Sequence, residues 1–311
     1  MNRRALLTGL LRLAALLPLP LAHAIGAFFG WLLWRIPGNG PRNIAARNLS
    51  LCFPASPAAE RDALLRRNLL ETGKLFLELG PLWLWRGERV LGLVRGPVSG
   101  EEALAATVRQ KRGAILLTPH LGAWEMAGLY YSSRHPLTIL YRPSRLGLDE
   151  LSRQGRGRLG GKVVATDASG VRALLTSLRD GEVLGILPDQ DPGDEGGVFA
   201  PFFGIAASTM TLVSRLALKT GVPVFLTWAE RLPRGRGFVL HLRTLPEVTT
   251  AGSLEASVAA LNRGVEAAVR SLPAQYLWTY KRFKTRPPGT PKLLYRYHEH
   301  ATATQSREKS P

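Results

Sequence analysis

The chain has 311 residues, of which 45% are hydrophobic and 21% are charged, and this balance excludes a wholly disordered protein. A single cysteine excludes a disulfide framework and a metal cluster bound only by cysteines. Lysine and arginine number 41 against 23 acidic residues, and the net charge of +18 predicts an anionic partner: nucleic acid, an anionic membrane face, an acidic protein or a phosphorylated substrate.

The amino-terminal segment contains an uncharged run over residues 13–34, which is long enough to cross a bilayer. Basic residues flank the run on both sides, so the positive-inside rule gives no orientation. Pro18 and Pro20 weaken a continuous helix, whereas the tryptophans at its end suit a membrane interface. Four interpretations stay open: a span, a helix lying in the interface, a cleaved signal peptide and a buried soluble helix. The first two are favoured, and they predict a membrane anchor over residues 1–36.

From residue 101 onward, helical patterns alternate with short apolar runs, which is typical of an α/β protein. Before that point, residues 41–80 are predicted to be helical with a break at Pro54 and Pro57. The predicted strands are 114–118, 138–141, 162–165, 183–187, 222–228 and 237–245, and the predicted helices between or after them are 101–112, 171–179, 209–220 and 253–271. The predicted fold is therefore α/β, with a largely parallel central sheet flanked by helices and preceded by an N-terminal membrane-anchoring helix. The main domain is predicted over 37–295, and 296–311 as a polar tail.

His120 comes directly after the first predicted strand, and Glu125 follows five residues later, in the first turn of the next helix. Functional sites of parallel sheets gather at the carboxyl ends of strands. A carboxylate that bonds one ring nitrogen of a histidine fixes its tautomer and leaves the other nitrogen free as a base. The two residues are therefore a candidate catalytic dyad, and the alternative is a capping histidine beside a solvated glutamate.

Another predicted strand, 183–187, ends in an acidic stretch that begins with Asp189. Asp189 could bind a metal ion or orient a neighbouring arginine, whereas Asp194 and Glu195 are predicted to lie in a solvated loop. The apolar stretch that follows could line a hydrocarbon groove or belong to the core. The candidate groove residues are Trp124, Phe199, Phe202 and Phe203.

Arginines form a third group: Arg142 closes a predicted strand, and Arg156 and Arg158 lie in a glycine-rich stretch. Arginine is suited to bidentate capture of phosphate or carboxylate, and the alternative is a basic solvated face. Residues 276–287 interleave aromatic and basic side chains, which suits a nucleic-acid surface or a lipid phosphate surface equally. The sequence has no nucleophile elbow, P-loop, dinucleotide fingerprint or zinc-type spacing. Cys52 stands apart from these motifs, which argues against a cysteine nucleophile.

Taken together, these blocks resemble the late acyltransferases of lipid A biosynthesis, within the wider lysophospholipid acyltransferase group. The resemblance covers nearly the whole chain. The matching blocks are Arg42–Leu49 with Leu51–Pro54, His120–Glu125 as a His-x4-Asp/Glu motif, Tyr141–Pro143, Gly155–Arg158, Pro188–Asp191, Phe199–Gly204, and Gln275–Trp278 with Arg282–Pro287. Each block is modest, and their order and number make the match specific.

The resemblance implies transfer of a fatty acyl group from an acyl-carrier-protein thioester to a hydroxyl of a lipid A precursor. His120 would be the general base, oriented by Glu125. An arginine, Arg156 or Arg158, held by Asp189, would stabilise the oxyanion. The implied partners are the acidic carrier protein, a phosphorylated glycolipid and the membrane, without a cofactor, a metal or nucleic acid. The implied location is the bacterial inner membrane, with the catalytic domain on the cytoplasmic side.

Three other functions stay open on the sequence. The same chemistry could act on a lysophospholipid, an aminolipid or a mannosyl-lipid. A non-catalytic membrane protein could bind anionic lipid or nucleic acid through its basic face. A lipid hydrolase could use the dyad to activate water.

Overall fold

A computed structural model of the protein describes residues 3–141, 149–193, 196–290 and 295. These residues form twelve α-helices and eight strands. The helices are α1 (Arg3–Leu16), α2 (Leu19–Arg35), α3 (Gly40–Cys52), α4 (Ala58–Leu84), α5 (Gly87–Leu91), α6 (Glu101–Arg109), α7 (Trp124–Ser132), α8 (Asp149–Gly157), α9 (Ala168–Arg179), α10 (Leu212–Thr220), α11 (Pro246–Thr250) and α12 (Leu254–Ser271). The strands are β1 (Ala114–Leu117), β2 (Leu137–Tyr141), β3 (Lys162–Ala165), β4 (Val183–Ile186), β5 (Gly197–Phe202), β6 (Ile205–Met210), β7 (Val224–Arg231) and β8 (Phe238–Thr244).

Six strands of the described chain form a central sheet in the order β3-β2-β4-β1-β7-β8. Neighbouring strands are parallel except β7 and β8, which are antiparallel. Every residue of β1 and β4 is buried, as expected for central parallel strands that are covered by helices on both faces. The predicted fold class, α/β with a largely parallel central sheet flanked by helices, is confirmed.

The strands β5 and β6 form a separate antiparallel hairpin that pairs Phe202 with Ile205 next to its turn. The two turn residues, Phe203 and Gly204, have φ values of 52° and 75°, which is the left-handed geometry of a tight hairpin turn. The prediction of a helix from residue 209 is wrong at its start, because Thr209 and Met210 belong to β6 and α10 begins at Leu212.

The apolar amino-terminal run is divided into α1 and α2, and Pro18 occupies the N-cap position of α2. Within the described ranges, no single helix is long and apolar enough to cross a membrane. The pair α2 and α3 meets that test by length and composition, but the two helices are bent by 77°. The predicted N-terminal membrane-anchoring helix is therefore not supported as a single span.

The helix α2 packs directly on α4 at a point where two glycines meet. A Cβ atom added to Gly73 would lie 1.9 Å from the carbonyl oxygen of Gly26, so a larger residue at either position would force the backbones apart. The predicted boundary at residue 36 therefore falls between α2 and α4, although these two helices pack directly on each other.

A buried ionic network fastens the same two helices to β7. The Glu78 carboxylate on α4 accepts hydrogen bonds from Arg231 at 2.6 and 2.7 Å and contacts the His23 ring of α2 at 2.9 Å. Arg231 also donates to Glu71 at 2.9 Å. Burial opposes the charged form of Glu78, but the charge and hydrogen bonds of Arg231 outweigh it and lower the pKa of this carboxyl. Breaking the network would leave uncompensated charge in the interior.

Candidate active site

His120 and Asp189 meet at the carboxyl edge of the sheet, because each follows one of the two central strands. β1 and β4 are adjacent and parallel, so their ends lie side by side. The Nδ1 atom of His120 lies 2.8 Å from Oδ1 of Asp189, and the backbone amide of His120 donates to Oδ2 at 3.0 Å. The side chain of Asp189 is 3% exposed and that of His120 is 13% exposed, so the imidazole is the member of the pair that faces solvent.

The electrostatics of this pair favour an ionised aspartate. Burial alone would raise the pKa of Asp189, but the charge of His120 and the hydrogen bonds from its ring and amide lower it below the usual value. A carboxylate accepts only, so Nδ1 carries a proton in either charge state of the ring, and in the neutral imidazole Nε2 keeps its lone pair. The side-chain nitrogen of Gln190 lies 3.1 Å from that Nε2 and can donate to it.

Glu125 is not the partner of His120 in the structure, and this corrects the prediction that it orients the imidazole. Its carboxylate accepts hydrogen bonds from Nε of Arg156 at 3.0 and 3.1 Å and from the indoles of Trp83 and Trp124, each at 3.2 Å. Burial would raise the pKa of Glu125, but the Arg156 charge and these bonds lower it. Asp189 makes the contact with the imidazole that was predicted for Glu125, because it follows the strand next to β1.

The predicted arginines have different positions. Arg156 on α8 is held by Glu125 rather than by Asp189, which is already engaged by His120. Arg158 donates to the backbone carbonyls of Leu82, at 2.7 Å, and of Trp85, so it caps the end of α4 instead of facing the site. Arg142 lies outside the described residues.

The segment Gln275–Trp278 is hydrogen-bonded to the loop that carries His120. The Leu277 amide donates to the carbonyl of His120, and the Gly122 amide donates to the carbonyl of Gln275, each at 3.0 Å. A Cβ on Gly122 would lie 2.0 Å from the carbonyl oxygen of Ala229, so glycine is required there, where φ is 63°. The aromatic and basic segment over residues 276–287 therefore contacts the loop of His120 directly. The linear sequence does not show this contact.

Tyr276 and Gln190 are site residues that the sequence reasoning did not single out. The hydroxyl of Tyr276 is buried against Asp189, and burial together with the aspartate charge raises the pKa of this tyrosine well above its usual value. Both residues lie inside blocks whose order was recognised, next to residues that were named. Their role depends on side-chain direction at the end of a strand or loop, for which the sequence carries no signal.

A narrow, mainly apolar cavity of about 30 Å³ lies next to Trp124, whose ring also contacts His120. The ring of Trp124 forms part of its wall and packs edge-to-face on His120 with centroids 4.8 Å apart. The residues lining it are Leu116, Thr118, Trp124, Glu125, Gly128, Leu129, Leu137, Ile139, Arg156, Gly185 and Leu187.

The three phenylalanines predicted for a groove lie elsewhere. Phe202 and Phe203 are buried in the core against Tyr276 and Trp278, and Phe199 is on the hairpin with 39% of its surface exposed. Of the four candidate groove residues, Trp124 alone lines the described cavity. The Cys52 thiol is buried and burial raises its pKa, so it is not a thiolate nucleophile. Among the described residues no three His, Cys, Asp or Glu side chains are grouped to hold a metal ion.

Comparisons with known proteins cover almost the whole chain. Residues 2–285 match the family described as bacterial lipid A biosynthesis acyltransferase. The chain is 31% identical to the lipid A biosynthesis lauroyltransferase of Escherichia coli strain K12, over 91% of this chain and 92% of the relative. It is 31% identical to the lipid A biosynthesis palmitoleoyltransferase of the same strain, over 92% of each chain. It is also 32% identical to a lipid A biosynthesis acyltransferase of Haemophilus influenzae, over 90% of this chain and 89% of the relative. The chain therefore belongs to the bacterial lipid A biosynthesis acyltransferase family.

Proposed function

We propose that this protein transfers a fatty acyl group from an acyl-carrier-protein thioester to a hydroxyl of a lipid A precursor, with His120 as the general base. The observation that carries the proposal is the paired contact of His120 with Asp189, which leaves Nε2 as a proton acceptor beside an apolar cavity. An alcohol is a weak nucleophile, and a positioned base of this kind accelerates its attack by about 10² to 10⁴.

The reaction follows from this geometry. The acceptor hydroxyl displaces the Gln190 amide from Nε2 and gives its proton to the imidazole as its oxygen attacks the thioester carbonyl carbon. Asp189 stabilises the imidazolium that forms. The tetrahedral intermediate then loses its carbon–sulfur bond, and the imidazolium returns the proton to the departing thiolate. An ester and a free thiol are the products, and His120 is neutral again.

Arg156 is the candidate that supports the oxyanion. Its Nε and Nη2 atoms are engaged by Glu125, whereas Nη1 has no hydrogen bond within the described ranges. The guanidinium lines the cavity, so a carbonyl entering there would meet a fixed positive charge. Glu125 then acts as a positioning residue for Arg156, and its ionisation, favoured by its lowered pKa, keeps the pair together.

The proposed classes of acyl donor and lipid acceptor are inferred from the net charge of the protein and from the names of its relatives. A net charge of +18 favours association with an acidic carrier protein and with a phosphorylated lipid. The named relatives are lauroyl and palmitoleoyl transferases of lipid A biosynthesis, which favours a long acyl chain and a lipid A precursor here. Phosphate recognition belongs to the basic surface, because the cavity beside His120 is mainly apolar.

We also propose that the outer face of α1 and α2 docks in the plane of the inner membrane, on its cytoplasmic side. Large apolar side chains there are 44% to 79% exposed: Leu6, Leu10, Leu13, Leu16, Leu21, Phe28 and Phe29. So many exposed large apolar side chains on two successive helices are unusual for a soluble monomer. Arg35 lies over the rings of Trp31 and Trp34, a pairing suited to the headgroup layer.

The test is an assay of purified protein in lipid with a radiolabelled acyl-carrier-protein thioester and a lipid A precursor. We expect transfer by the wild type and loss of about 10² to 10⁴ in turnover for His120→Ala. His241→Ala is the matched control, because His241 contacts Glu230 at 2.9 Å in a comparable pair on the outer strand β8. Full activity of His120→Ala would contradict the proposed role of His120 as the general base.

The same assay separates the other functions. Transfer to a lysophospholipid or another glycolipid, with none to the precursor, would keep the chemistry and change the acceptor. Release of free fatty acid at the transfer rate without any acceptor would favour a hydrolase. Salt-sensitive lipid or nucleic-acid binding that His120→Ala leaves unchanged, with no turnover, would favour a binding protein.

A further inference from the structure

Gln190 occupies the ring nitrogen of His120 that the proposed reaction needs. Its side-chain nitrogen lies 3.1 Å from Nε2 of His120. Because Nδ1 of the same ring faces Asp189, Nε2 of the neutral imidazole offers only a lone pair, and the NH₂ group is the end of the Gln190 amide that can bond it. The atom proposed to accept the proton of the lipid hydroxyl is therefore already hydrogen-bonded in this structure.

The backbone of Gln190 is held on both sides by buried aspartates. On one side, Asp189 is bonded twice to the histidine loop. On the other side, the Asp191 carboxylate accepts from the amide and the hydroxyl of Thr285, each at 3.0 Å, and the Asp191 amide donates to the Tyr280 hydroxyl at 3.0 Å. Both aspartates are at most 3% exposed, whereas Gln190 is partly exposed. None of these loop contacts uses the Gln190 side chain, so it can change rotamer without disturbing them.

An amide fixed at this position treats water and a lipid hydroxyl differently. A water molecule that reaches Nε2 must break the Gln190 bond, and it has no other contact with the protein to offset the loss. An acceptor lipid binds through the rest of its surface, so part of its binding free energy can displace the amide. One hydrogen bond of this kind corresponds to a factor of about two to ten in an equilibrium constant.

We propose that Gln190 selects the acceptor hydroxyl over water, because it occupies Nε2 of His120 until the acceptor lipid is bound. The inference rests on the proposed function and goes beyond it in naming the residue that limits hydrolysis of the donor. In that side reaction a water oxygen attacks the thioester carbonyl carbon and its proton passes to Nε2. The carbon–sulfur bond then breaks, and the thiolate takes the proton from the imidazolium. The products are a free fatty acid and a free thiol, so the donor is lost.

The experiment measures release of free fatty acid from a labelled acyl-carrier-protein thioester without acceptor, and transfer with increasing lipid A precursor. Gln190→Met keeps the length of the side chain and removes its N–H donors. Release without acceptor should rise about two- to tenfold, and the KM for the precursor should fall by a similar factor, because neither nucleophile then has to break the bond. Turnover at saturating precursor should not rise, since the amide is already displaced in that complex. A purely structural role would instead lower turnover and leave release unraised.

Gln110→Met is the matched control, because Gln110 is an exposed glutamine at the end of α6, and it should keep the wild-type release and KM. Gln190→Ala is a second test variant and should behave like Gln190→Met. A rise in release in Gln190→Ala alone would mean that the bulk of the side chain, and not its hydrogen bond, keeps water away, and would overturn the inference.

Two further results would also overturn it while leaving the acyltransferase proposal intact. One is wild-type release and KM in both Gln190 variants. The other is a loss of tenfold or more in turnover at saturating precursor, which would mean that Gln190 acts in the transfer step itself. Failure of the proposed function has a different signature: the wild type would form no acylated precursor and would release fatty acid at the same rate with and without it.

Discussion

Asp189 contacts His120 twice, at the ring nitrogen Nδ1 and at the backbone amide, at 2.8 and 3.0 Å. One carboxylate therefore fixes both the direction of the ring and the loop that carries it. The amide contact also means that the two strand ends of β1 and β4 are tied together at the site.

Replacing Asp189 with asparagine should lower turnover by about 10² to 10⁴, with little change in the apparent affinity for the donor. The amide can accept from one N–H only, and its NH₂ group would face the other, so the proton on the imidazole would move to the wrong nitrogen. Steady-state kinetics with the acyl-carrier-protein donor measures this effect. A variant within threefold of wild-type turnover would show that Asp189 has no part in orienting the base.

Glu125→Gln should lower the free energy of unfolding by about 3 to 5 kcal/mol, because it leaves the Arg156 charge without its buried partner. The double change Glu125→Leu with Arg156→Met should recover most of that loss, since neither charge remains. Urea denaturation of the three proteins measures the difference. A loss in the double variant as large as that in Glu125→Gln would mean that the two side chains do not act as a pair.

How much of this site the sequence predicts depends on whether a feature is local. His120 was placed at a strand end because β1 is a clear apolar run, and all six strands of the central sheet were predicted near their observed bounds. The partner of His120 was not predicted correctly, because Asp189 reaches it through the adjacency of β1 and β4, which pairs residues 69 positions apart. Glu125 was favoured only because it is near in sequence.

The helix α8 shows a second limit. No helix was predicted for its glycine-rich stretch, yet Gly155 lies where a Cβ atom would be 2.5 Å from Trp83, so the glycine permits helix packing. The hairpin of β5 and β6 was also missed, because burial alternates only over the last four residues of β5 and not along β6. In both α8 and the hairpin, the local structure depends on contacts with residues that are distant in the sequence.

Below about pH 4 the protein should lose stability steeply, because buried carboxyls at Asp189, Glu125 and Glu78 have folded-state pKa values below those of the unfolded chain, about 3.9 to 4.3. The stability they contribute is present above the unfolded values and is lost as the pH falls through the folded ones. Each proton adds a slope of about 1.4 kcal/mol per pH unit.

Glu78→Gln should therefore flatten the acid limb of the stability curve, measured by urea denaturation between pH 2 and pH 6, a window chosen to bracket these carboxyl pKa values. The exposed carboxylate of Glu102 supplies the control, Glu102→Gln, which should keep the wild-type slope. An unchanged slope in Glu78→Gln would mean that the Arg231 network does not hold this carboxyl ionised.

Gly73→Ala should loosen α2 from α4 and lower the free energy of unfolding by at least about 1 to 3 kcal/mol, because its Cβ would overlap the Gly26 carbonyl. Trypsin cleavage at the arginines that follow α2 should become faster. Gly40→Ala is the control, since a Cβ there meets nothing within 4 Å. Equal cleavage of both variants would contradict tight docking of α2.

Membrane docking of the outer face of α1 and α2 can be measured by flotation with vesicles of anionic and neutral phospholipid. The double change Phe28→Ser with Phe29→Ser should lower partitioning on the order of tenfold or more, because each phenylalanine is more than half exposed and buries apolar surface only in lipid. Moderate salt should weaken binding partly, since it screens the arginines and leaves the apolar contact. Phe199→Ser serves as the comparison: this phenylalanine is also exposed, but lies on the hairpin of β5 and β6. If Phe199→Ser weakened binding as much as the double change, the docking surface would extend beyond the helices. If neither did, the exposed face of α1 and α2 would have another partner.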